Sequence, residues 1–297
     1  MRLIYFKLVF YQFKIRIIIS LLLILLFVSC KNEEKKYLFL GHIYEYEDAE
    51  NRMDRRVEQI PFNKYNGVWI GGDVLFYGIT SQKDIDYLDS VFSFSSGNVN
   101  WALGNHDIVG DSKENILSLK GKPEYYAEYS DGMTLLTLNT NYNNLNCNQL
   151  NKQFSFFKHL CDTIEKTRVL IVLSHHFVWG NLENSNTAEF ANGDMIGWRT
   201  SCDKGNIFDN TFYELLKELR KRCKVVWIAG DMGQKRKEDY KYESKDSIIF
   251  LASGLGNSKE LKYNYKNKPK DRVLELIYFP DKNELDFQFV TLDDLIN

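Results

Sequence analysis

The chain has 297 residues, with 38 lysines and arginines against 40 aspartates and glutamates, which gives a formal net charge of −2. Hydrophobic residues make up 44% of the sequence, enough for a large buried core, and this composition excludes a disordered or collagen-like chain. The near-zero charge provides no electrostatic footprint for nucleic acid, and the sequence has no internal repeat of solenoid or propeller length.

The N-terminal segment has the pattern of an export signal. An uncharged apolar run at 17–28 follows four basic residues, Arg2, Lys7, Lys14 and Arg16. This order predicts a secretory signal, and the run is shorter than the about 20 residues that span a bilayer. It ends in Val28-Ser29-Cys30, which resembles a bacterial lipobox with Phe27 in place of the usual leucine. The resemblance implies cleavage before Cys30 and lipid attachment to it; an uncleaved membrane anchor is the alternative.

We therefore divide the chain into a lipoprotein signal peptide (1–29), a polar tether (30–36) and one domain (37–297). The lipid would anchor an exported protein on the periplasmic or cell-surface side of a membrane, where disulfides are permitted. None of the other four cysteines lies in a Cys-x-x-Cys pair, so a thiolate zinc site is not expected. Among the three pairings, short loops favour Cys147–Cys161 with Cys202–Cys223.

Short apolar runs alternate with helical patterns along the domain. Helical spacing of apolar residues predicts helices at 48–60, 82–94, 148–166 and 210–222. Strands are predicted, in chain order, at 37–40, 67–70, 99–103, 125–129, 133–138, 169–173, 225–229, 247–252, 272–279 and 284–291. Asp131-Gly132 predicts a hairpin, and the aperiodic stretch 177–209 predicts a long functional loop. The alternation predicts an α/β fold of two packed sheets flanked by helices.

Polar residues follow four of the buried strands at the point where each strand ends. They are Asp73, Asn105 with His106 and Asp107, His175 with His176, and Asp231. Open α/β sheets bind ligands at the carboxyl ends of their strands, and this mixture of oxygen and nitrogen donors suits Mn, Fe or Zn. A carboxylate such as that of Asp73 can bridge two ions about 3.5–4 Å apart. His106 is a candidate proton donor, and Asp107 is a candidate to orient its imidazole.

Three of these elements together resemble a known family. Gly71-Gly72-Asp73, then Gly104-Asn105-His106-Asp107, then Ser174-His175-His176 resemble the motifs of calcineurin-like metallophosphoesterases, and the resemblance covers about 37–297. It implies a four-layer α/β/β/α sandwich of two mixed sheets flanked by helices, with a two-metal centre that hydrolyses phosphate esters. By residue, it implies Asp73 bridging the metals, Asn105 and His175 on the second metal, and His106 as proton donor or transition-state stabiliser.

Two family elements are altered. The Asp-x-His element that normally ends the first strand becomes His42-Ile43-Tyr44, and the final Gly-His-x-His becomes Gly230-Asp231-Met232-Gly233. The first metal site therefore keeps Asp73, with His42 and Tyr44 as the other candidates. The second site keeps four candidates, Asp73, Asn105, His175 and Asp231. We expect one good metal site and one altered or absent site, hence one or two ions per chain.

The sequence thus predicts a lipid-anchored, extracytoplasmic, metal-dependent hydrolase of phosphate mono- or diesters. The alternative is a catalytically degenerate binding or assembly protein on the same fold. His176 and Arg199 are expected on the substrate side, with Arg199 contacting phosphate, although both are open to a packing role. The substrate itself does not follow from the fold.

Overall fold

Two β-sheets lie at the centre of the protein in a computed structural model. The structure describes residues 34–46, 49–142, 146–192, 208–233, 239–256 and 271–296. The predicted signal peptide, the lipid-attachment residue Cys30 and the candidate phosphate ligand Arg199 lie outside these residues. Among the described residues, no helix has both the length and the apolar character needed to cross a bilayer.

Every predicted strand is present, and three elements that were not predicted accompany them: a helix at 112–120, a strand at 240–243 and a short helix at 292–296. The strands are β1 (Lys35–Leu40), β2 (Gly67–Ile70), β3 (Val99–Trp101), β4 (Tyr126–Ser130), β5 (Met133–Thr137), β6 (Val169–Ser174), β7 (Lys224–Ala229), β8 (Tyr240–Glu243), β9 (Ile249–Ala252), β10 (Arg272–Phe279) and β11 (Glu284–Thr291). The helices are α1 (Gln82–Phe92), α2 (Ser112–Lys120), α3 (Cys147–Thr163), α4 (Tyr213–Arg220) and α5 (Leu292–Ile296).

Both sheets mix parallel and antiparallel strands. The first has the order β11-β10-β1-β2-β3 and the second β4-β5-β6-β7-β9-β8. Within them, β1, β2 and β3 are parallel, as are β5, β6, β7 and β9. The predicted hairpin is confirmed, since β4 and β5 pair antiparallel across Asp131-Gly132. Because parallel strands end on the same side, the polar residues that follow them are brought to one edge of each sheet.

Three apolar layers hold the sheets and helices together. Phe39 and Trp69 of the first sheet pack with Ile171 and Ile228 of the second in a core between the sheets. Helices α1 and α2 cover the outer face of the first sheet, and α3 and α4 cover that of the second. The predicted α/β architecture, two mixed sheets flanked by helices, is confirmed.

The segment predicted as a helix at 48–60 is largely irregular. Of its described residues, 57–59 form a single 3₁₀ turn, and Met53 pairs with Tyr44 in an isolated β-bridge. The carboxylate of Asp54 instead accepts the backbone amide and the guanidinium of Arg56. Such a local side-chain contact competes with helix formation, so the helical spacing of apolar residues was misleading here.

The predicted disulfides are wrong. Cys161 and Cys223 are free and buried, whereas Cys147 is disulfide-bonded to a cysteine outside the described residues. Cys147 and Cys161 belong to the same helix, α3, and 14 residues of helix rise about 21 Å. Since disulfide-bonded cysteines have Cα atoms less than about 7 Å apart, that pair cannot form.

Candidate metal centre

Three glycines bring the two sheets together at their carboxyl ends. A Cβ atom on Gly41 would lie 2.5 Å from the Cα of Gly230, and one on Gly230 would lie 2.1 Å from the carbonyl oxygen of Gly71. Only residues without a side chain allow the strand ends to approach this closely. The glycines therefore position the polar residues that follow them, one from each of β1, β2 and β7.

Asp73 lies at the centre of these residues. It is buried, and its backbone is in the left-handed region, with φ 56°. Its Oδ1 accepts the backbone amide of His106 at 3.0 Å, while Oδ2 lies 3.3 Å from Nε2 of His175 and 3.9 Å from Nε2 of His42. Burial raises the pKa of Asp73, but the nearby histidines outweigh it and hold that pKa well below its usual range.

One ring nitrogen of His175, Nε2, lies near oxygen atoms of three other side chains. Its Nδ1–H donates to the carbonyl of Gly71 at 2.7 Å, so the neutral ring has its lone pair on Nε2. That nitrogen lies 3.2 Å from Oδ1 of Asn105, 3.3 Å from Oδ2 of Asp73 and 3.9 Å from Oδ1 of Asp231. A backbone carbonyl that fixes the tautomer in this way is the usual support of a metal-binding histidine.

His42 also has its Nε2 near Oδ2 of Asp73, at 3.9 Å. The ring is buried, its Nδ1 lies 3.3 Å from the carbonyl oxygen of Leu255, and its backbone amide donates to Gly72 at 3.0 Å. Burial lowers the pKa of His42, against the opposing charge of Asp73. A neutral imidazole with Nε2 directed toward Asp73 is a chemically suitable metal donor.

His176 is buried rather than open to substrate. Its Nδ1 lies 2.9 Å from Oγ1 of Thr140, and the same hydroxyl accepts the backbone amide of His176. A ring nitrogen of His176, one of His175 and a carboxylate oxygen of Asp231 all lie within 4.8 Å of one another. Burial, followed by the charge of His175, lowers the pKa of His176 to about 4. The residue therefore adds a neutral nitrogen to the polar cluster.

His106 is partly exposed at the rim. Its Nδ1–H donates to the carbonyl of Phe76 at 2.5 Å, which leaves Nε2 available to hold or release a proton. The predicted orientation of this ring by Asp107 does not occur, because the carbonyl of Phe76 takes that place.

Asp107 instead organises the backbone behind the metal donors. Its Oδ2 accepts the amides of Asp73 and Gly104 and the indole N–H of Trp101, and its Oδ1 accepts the amide of Val74. Burial, followed by the charge of Asp73, raises the pKa of Asp107, while the Gly104 amide and the indole oppose that shift. Its contacts make Asp107 a positioning residue.

Tyr44 and Gly233 stand where the family motifs have histidine, and their surroundings differ. Tyr44 is buried and packs its ring 4.5 Å from that of His42 and 4.9 Å from that of His106, between centroids. At Gly233, φ is 135° and a Cβ atom would lie 2.2 Å from the carbonyl oxygen of Leu255. The backbone at 233 therefore excludes any side chain, so more than a single substitution separates it from a histidine ligand.

The donors around His175 suit a divalent ion. Two ligands that bind one ion at 2.0–2.2 Å lie roughly 3–3.6 Å apart, close to the separations of His175 Nε2 from Asn105 and Asp73. Buried carboxylates need a compensating positive charge, which an ion would supply. By these criteria a metal ion fits among the side chains of Asp73, Asn105, His175 and Asp231. His42 and His176 lie next to this set of donors.

A comparison with known proteins identifies the family of the chain. The family model described as calcineurin-like phosphoesterase matches residues 40–196, more than half of the chain. The chain belongs to the calcineurin-like phosphoesterase family. Membership implies divalent metal ions and makes a hydrolase the expected class of activity. No match was found among curated proteins.

The solved structures that align with this calcineurin-like phosphoesterase are distant from it in sequence. A dimetal phosphatase from Danio rerio aligns with a TM-score of 0.55 and 11% identity over 87% of this chain and 96% of that chain. Vps29 from Cryptosporidium parvum aligns with a TM-score of 0.35 and 12% identity over 86% and 97%. The likeness to the phosphatase extends to the fold alone.

One group of supporting residues was missed from the sequence. Asn139, Thr140 and Asn141 follow β5 just as the recognised residues follow their strands. Thr140 contacts His176, and the side-chain amide of Asn141 donates to the carbonyl of Leu103, immediately before the Gly104-Asn105 element, at 2.8 Å. A polar run directly after an apolar strand was the available signal.

Proposed function

We propose that this chain is a metal-dependent hydrolase of phosphate mono- or diesters. The observation that carries the proposal is the position of His175 Nε2, which lies 3.2–3.9 Å from oxygens of Asp73, Asn105 and Asp231. Family membership supports the same class of reaction. Mn, Fe or Zn suits this mixture of carboxylate, amide and imidazole donors.

These residues would hold one ion, with His42 as a further donor on the side of Asp73. A metal there supplies Lewis-acid stabilisation of the charge that develops on phosphoryl oxygens. The chain itself supplies the groups around the reaction. The side chain of Asn105 is exposed and can orient a phosphate oxygen.

His106 would handle the proton at the leaving oxygen. Because Nδ1 is held by the carbonyl of Phe76, proton exchange takes place at Nε2. An imidazole at this position can give its proton to the departing alcohol oxygen, a role worth about 10²–10⁴-fold in rate. The carboxylate of Asp107 accepts the backbone amides of Asp73 and Gly104, which holds His106 and the metal donors in position.

The reaction would take place outside the cytoplasm on a lipid anchor. The support is in the sequence: a signal at 1–29, a lipobox-like Cys30 and a polar tether at 30–36, ahead of the domain at 37–297. Expression of the full chain in bacteria with a radiolabelled fatty acid tests this. We expect a labelled, membrane-bound protein, and an unlabelled product from Cys30→Ala; equal labelling of both would refute the anchor.

Hydrolysis of chromogenic phosphate mono- and diesters, with Mn, Fe or Zn added to metal-stripped protein, tests the activity. We expect phosphate release that requires metal and falls steeply in Asp73→Asn, because that substitution removes a charged metal donor. His159→Ala, at an exposed position on α3, is the matched control and should keep full activity. Absence of turnover with every metal and both ester types would overturn the proposal.

A binding or assembly role on the same scaffold is the second candidate. It is favoured by the two rebuilt positions, Tyr44 and Gly233, because neither offers the histidine of a standard first metal site. This role predicts one ion or none per chain and no loss of biological function in His106→Ala. Elemental analysis of the purified protein gives the ion count, and turnover with one bound ion would support the mononuclear hydrolase instead.

A further inference from the structure

Four aromatic side chains form a cluster that contacts His106 through Tyr44 and Phe76. The cluster consists of Tyr44, Tyr46, Phe76 and Tyr77 and is called the aromatic wall. The ring of Phe76 lies 5.0 Å from that of His106, between centroids, and 4.9 Å from the rings of both Tyr46 and Tyr77. Tyr44 lies 4.9 Å from His106 on the inner side. The wall is therefore continuous with the residue proposed to protonate the leaving group.

The aromatic wall runs from the buried centre to solvent. Tyr44 is 2% exposed, whereas Tyr77 is 48% exposed. Among the described residues, the exposed large hydrophobic side chains are Tyr77, Val109 and Tyr129. Tyr77 belongs to the wall, and Val109 follows His106 by three positions in the same loop. Two of these three exposed side chains, Tyr77 and Val109, are thus close to the candidate site. Exposed apolar surface beside a site is typical of ligand binding.

The backbone that carries Tyr77 is fixed by hydrogen bonds. Asn51 accepts the amide of Tyr77 at 3.1 Å and donates to the carbonyl of Gly78 at 2.8 Å. The hydroxyl of Ser112 accepts the amide of Ile79 at 2.7 Å, and the preceding carbonyl, of Phe76, is held by His106. A ring on so constrained a turn is already ordered before a ligand arrives, which lowers the entropic cost of stacking.

We infer that the aromatic wall binds a flat aromatic ring on the leaving-group side of the substrate. This inference rests on the proposed function, since it names the class of ester that the same site would hydrolyse. Aromatic rings stack on aromatic rings and bury apolar area in doing so, and the four side chains of the wall carry no formal charge. Both a nucleoside phosphate and a simple arylmethyl phosphate present such a ring.

Paired substrates with matched leaving alcohols test the inference. A nucleoside 5′-phosphate is compared with ribose 5-phosphate, and benzyl phosphate with cyclohexylmethyl phosphate, each as the monoester and as the methyl diester. In each pair a primary alcohol leaves, and only one member carries the flat ring. We expect kcat/KM to be about 5- to 150-fold higher for that member, the range of base–aromatic stacking.

Variants then assign the preference to the aromatic wall. Tyr77→Ala and Phe76→Leu should bring the ratio within each pair close to one, whereas Tyr129→Ala, an exposed tyrosine on β4, should leave it unchanged. Since Tyr77 is half exposed, its removal does not threaten the fold. If only the nucleoside pair shows the preference, the wall binds a nucleobase. If both pairs show it, the wall binds aromatic rings in general.

The two proposals fail in different ways. Turnover of all esters with equal kcat/KM within both pairs, unchanged in Tyr77→Ala, would overturn the aromatic site and leave the hydrolase intact. If no ester is hydrolysed, calorimetric titration of the metal-loaded chain with adenosine 5′-monophosphate and ribose 5-phosphate tests the wall independently. Tighter binding of the former that is lost in Tyr77→Ala supports the wall, and equal binding overturns it.

Discussion

The carboxylate of Asp107 holds the backbone of Asp73, since its Oδ2 accepts the Asp73 amide at 3.0 Å. The same carboxylate binds the amide of Gly104 and the indole of Trp101. One buried side chain therefore ties together the loops that follow β2 and β3, which carry two metal donors and the candidate acid.

Replacement of Asp107 by asparagine should destabilise the fold. An amide turns an N–H group toward N–H donors. Even when its oxygen takes the place of Oδ2, the hydrogen bond from the Val74 amide is lost and that donor stays buried. We expect a loss of about 1–3 kcal/mol in the free energy of unfolding, measured by urea denaturation of the metal-free chain. Asp111→Asn, at an exposed position, should change it by less than about 0.5 kcal/mol. Equal effects of the two substitutions would contradict this role.

The strand ends show how far the sequence could predict this site. Asp73 and His175 each follow an uninterrupted apolar run, so the fold brings them to one edge. The part played by Asp107 was not predictable, because its donors come from Asp73, Val74 and Trp101, and spacing along the chain does not encode these contacts.

The irregular segments were least predictable. The apolar spacing around Met53 fits a helix, yet Met53 pairs with Tyr44 across a bridge, a tertiary contact that overrides local periodicity. Likewise, the closed space at Gly233 depends on the carbonyl of Leu255, which comes from a distant part of the chain.

His106→Ala should lower kcat without removing the metal. The ring is partly exposed and contributes no donor to the group around His175, so we expect a decrease in kcat of about 10²–10⁴-fold with unchanged metal content. His159→Ala should keep the wild-type kcat. A parallel loss of metal content would place His106 among the ligands, contrary to its proposed role.

Restoring a histidine at position 233 should fail to create a second metal site. A side chain there meets the carbonyl of Leu255 on a backbone with φ 135°, so Gly233→His should lower the free energy of unfolding by about 2–5 kcal/mol without raising the ion count. Gly97→Ala is the control, because Gly97 has φ 74° with open space around it and should lose only about 1 kcal/mol. A stable Gly233→His protein with an additional ion would disprove the steric argument.

Metal binding should release a proton from His175. Burial lowers the pKa of His175, but the charge and hydrogen bond of Asp73 outweigh it and raise that pKa to about 10 in the metal-free chain. At neutral pH an ion must displace this proton, so the apparent affinity should rise about tenfold per pH unit below that value. Calorimetric titrations in two buffers of different ionisation enthalpy count the protons, and a release of none would contradict the prediction.

The same raised pKa affects the stability of the metal-free chain. A group that binds its proton more tightly when folded stabilises the fold fully below its unfolded pKa, about 6.5, and this stabilisation is lost as the pH rises through the folded pKa. The lowered pKa of Asp73 acts in the opposite sense, because its stabilisation is lost as the pH falls below the unfolded value of about 3.9. The Asp73–His175 pair should therefore contribute most between about pH 4 and 6.5. Urea denaturation of His175→Gln should show that the free energy of unfolding no longer falls between about pH 6.5 and 10. If the fall is the same as in the wild type, other groups cause it.

The central claim is that an ion is held by Asp73, Asn105, His175 and Asp231. Anomalous diffraction from crystals of the full domain grown with Mn²⁺ tests it most directly. The account predicts one strong anomalous peak within about 2.0–2.3 Å of donors from these four residues, absent in crystals of His175→Ala. No peak among them, or a peak bound elsewhere that survives His175→Ala, would contradict the account.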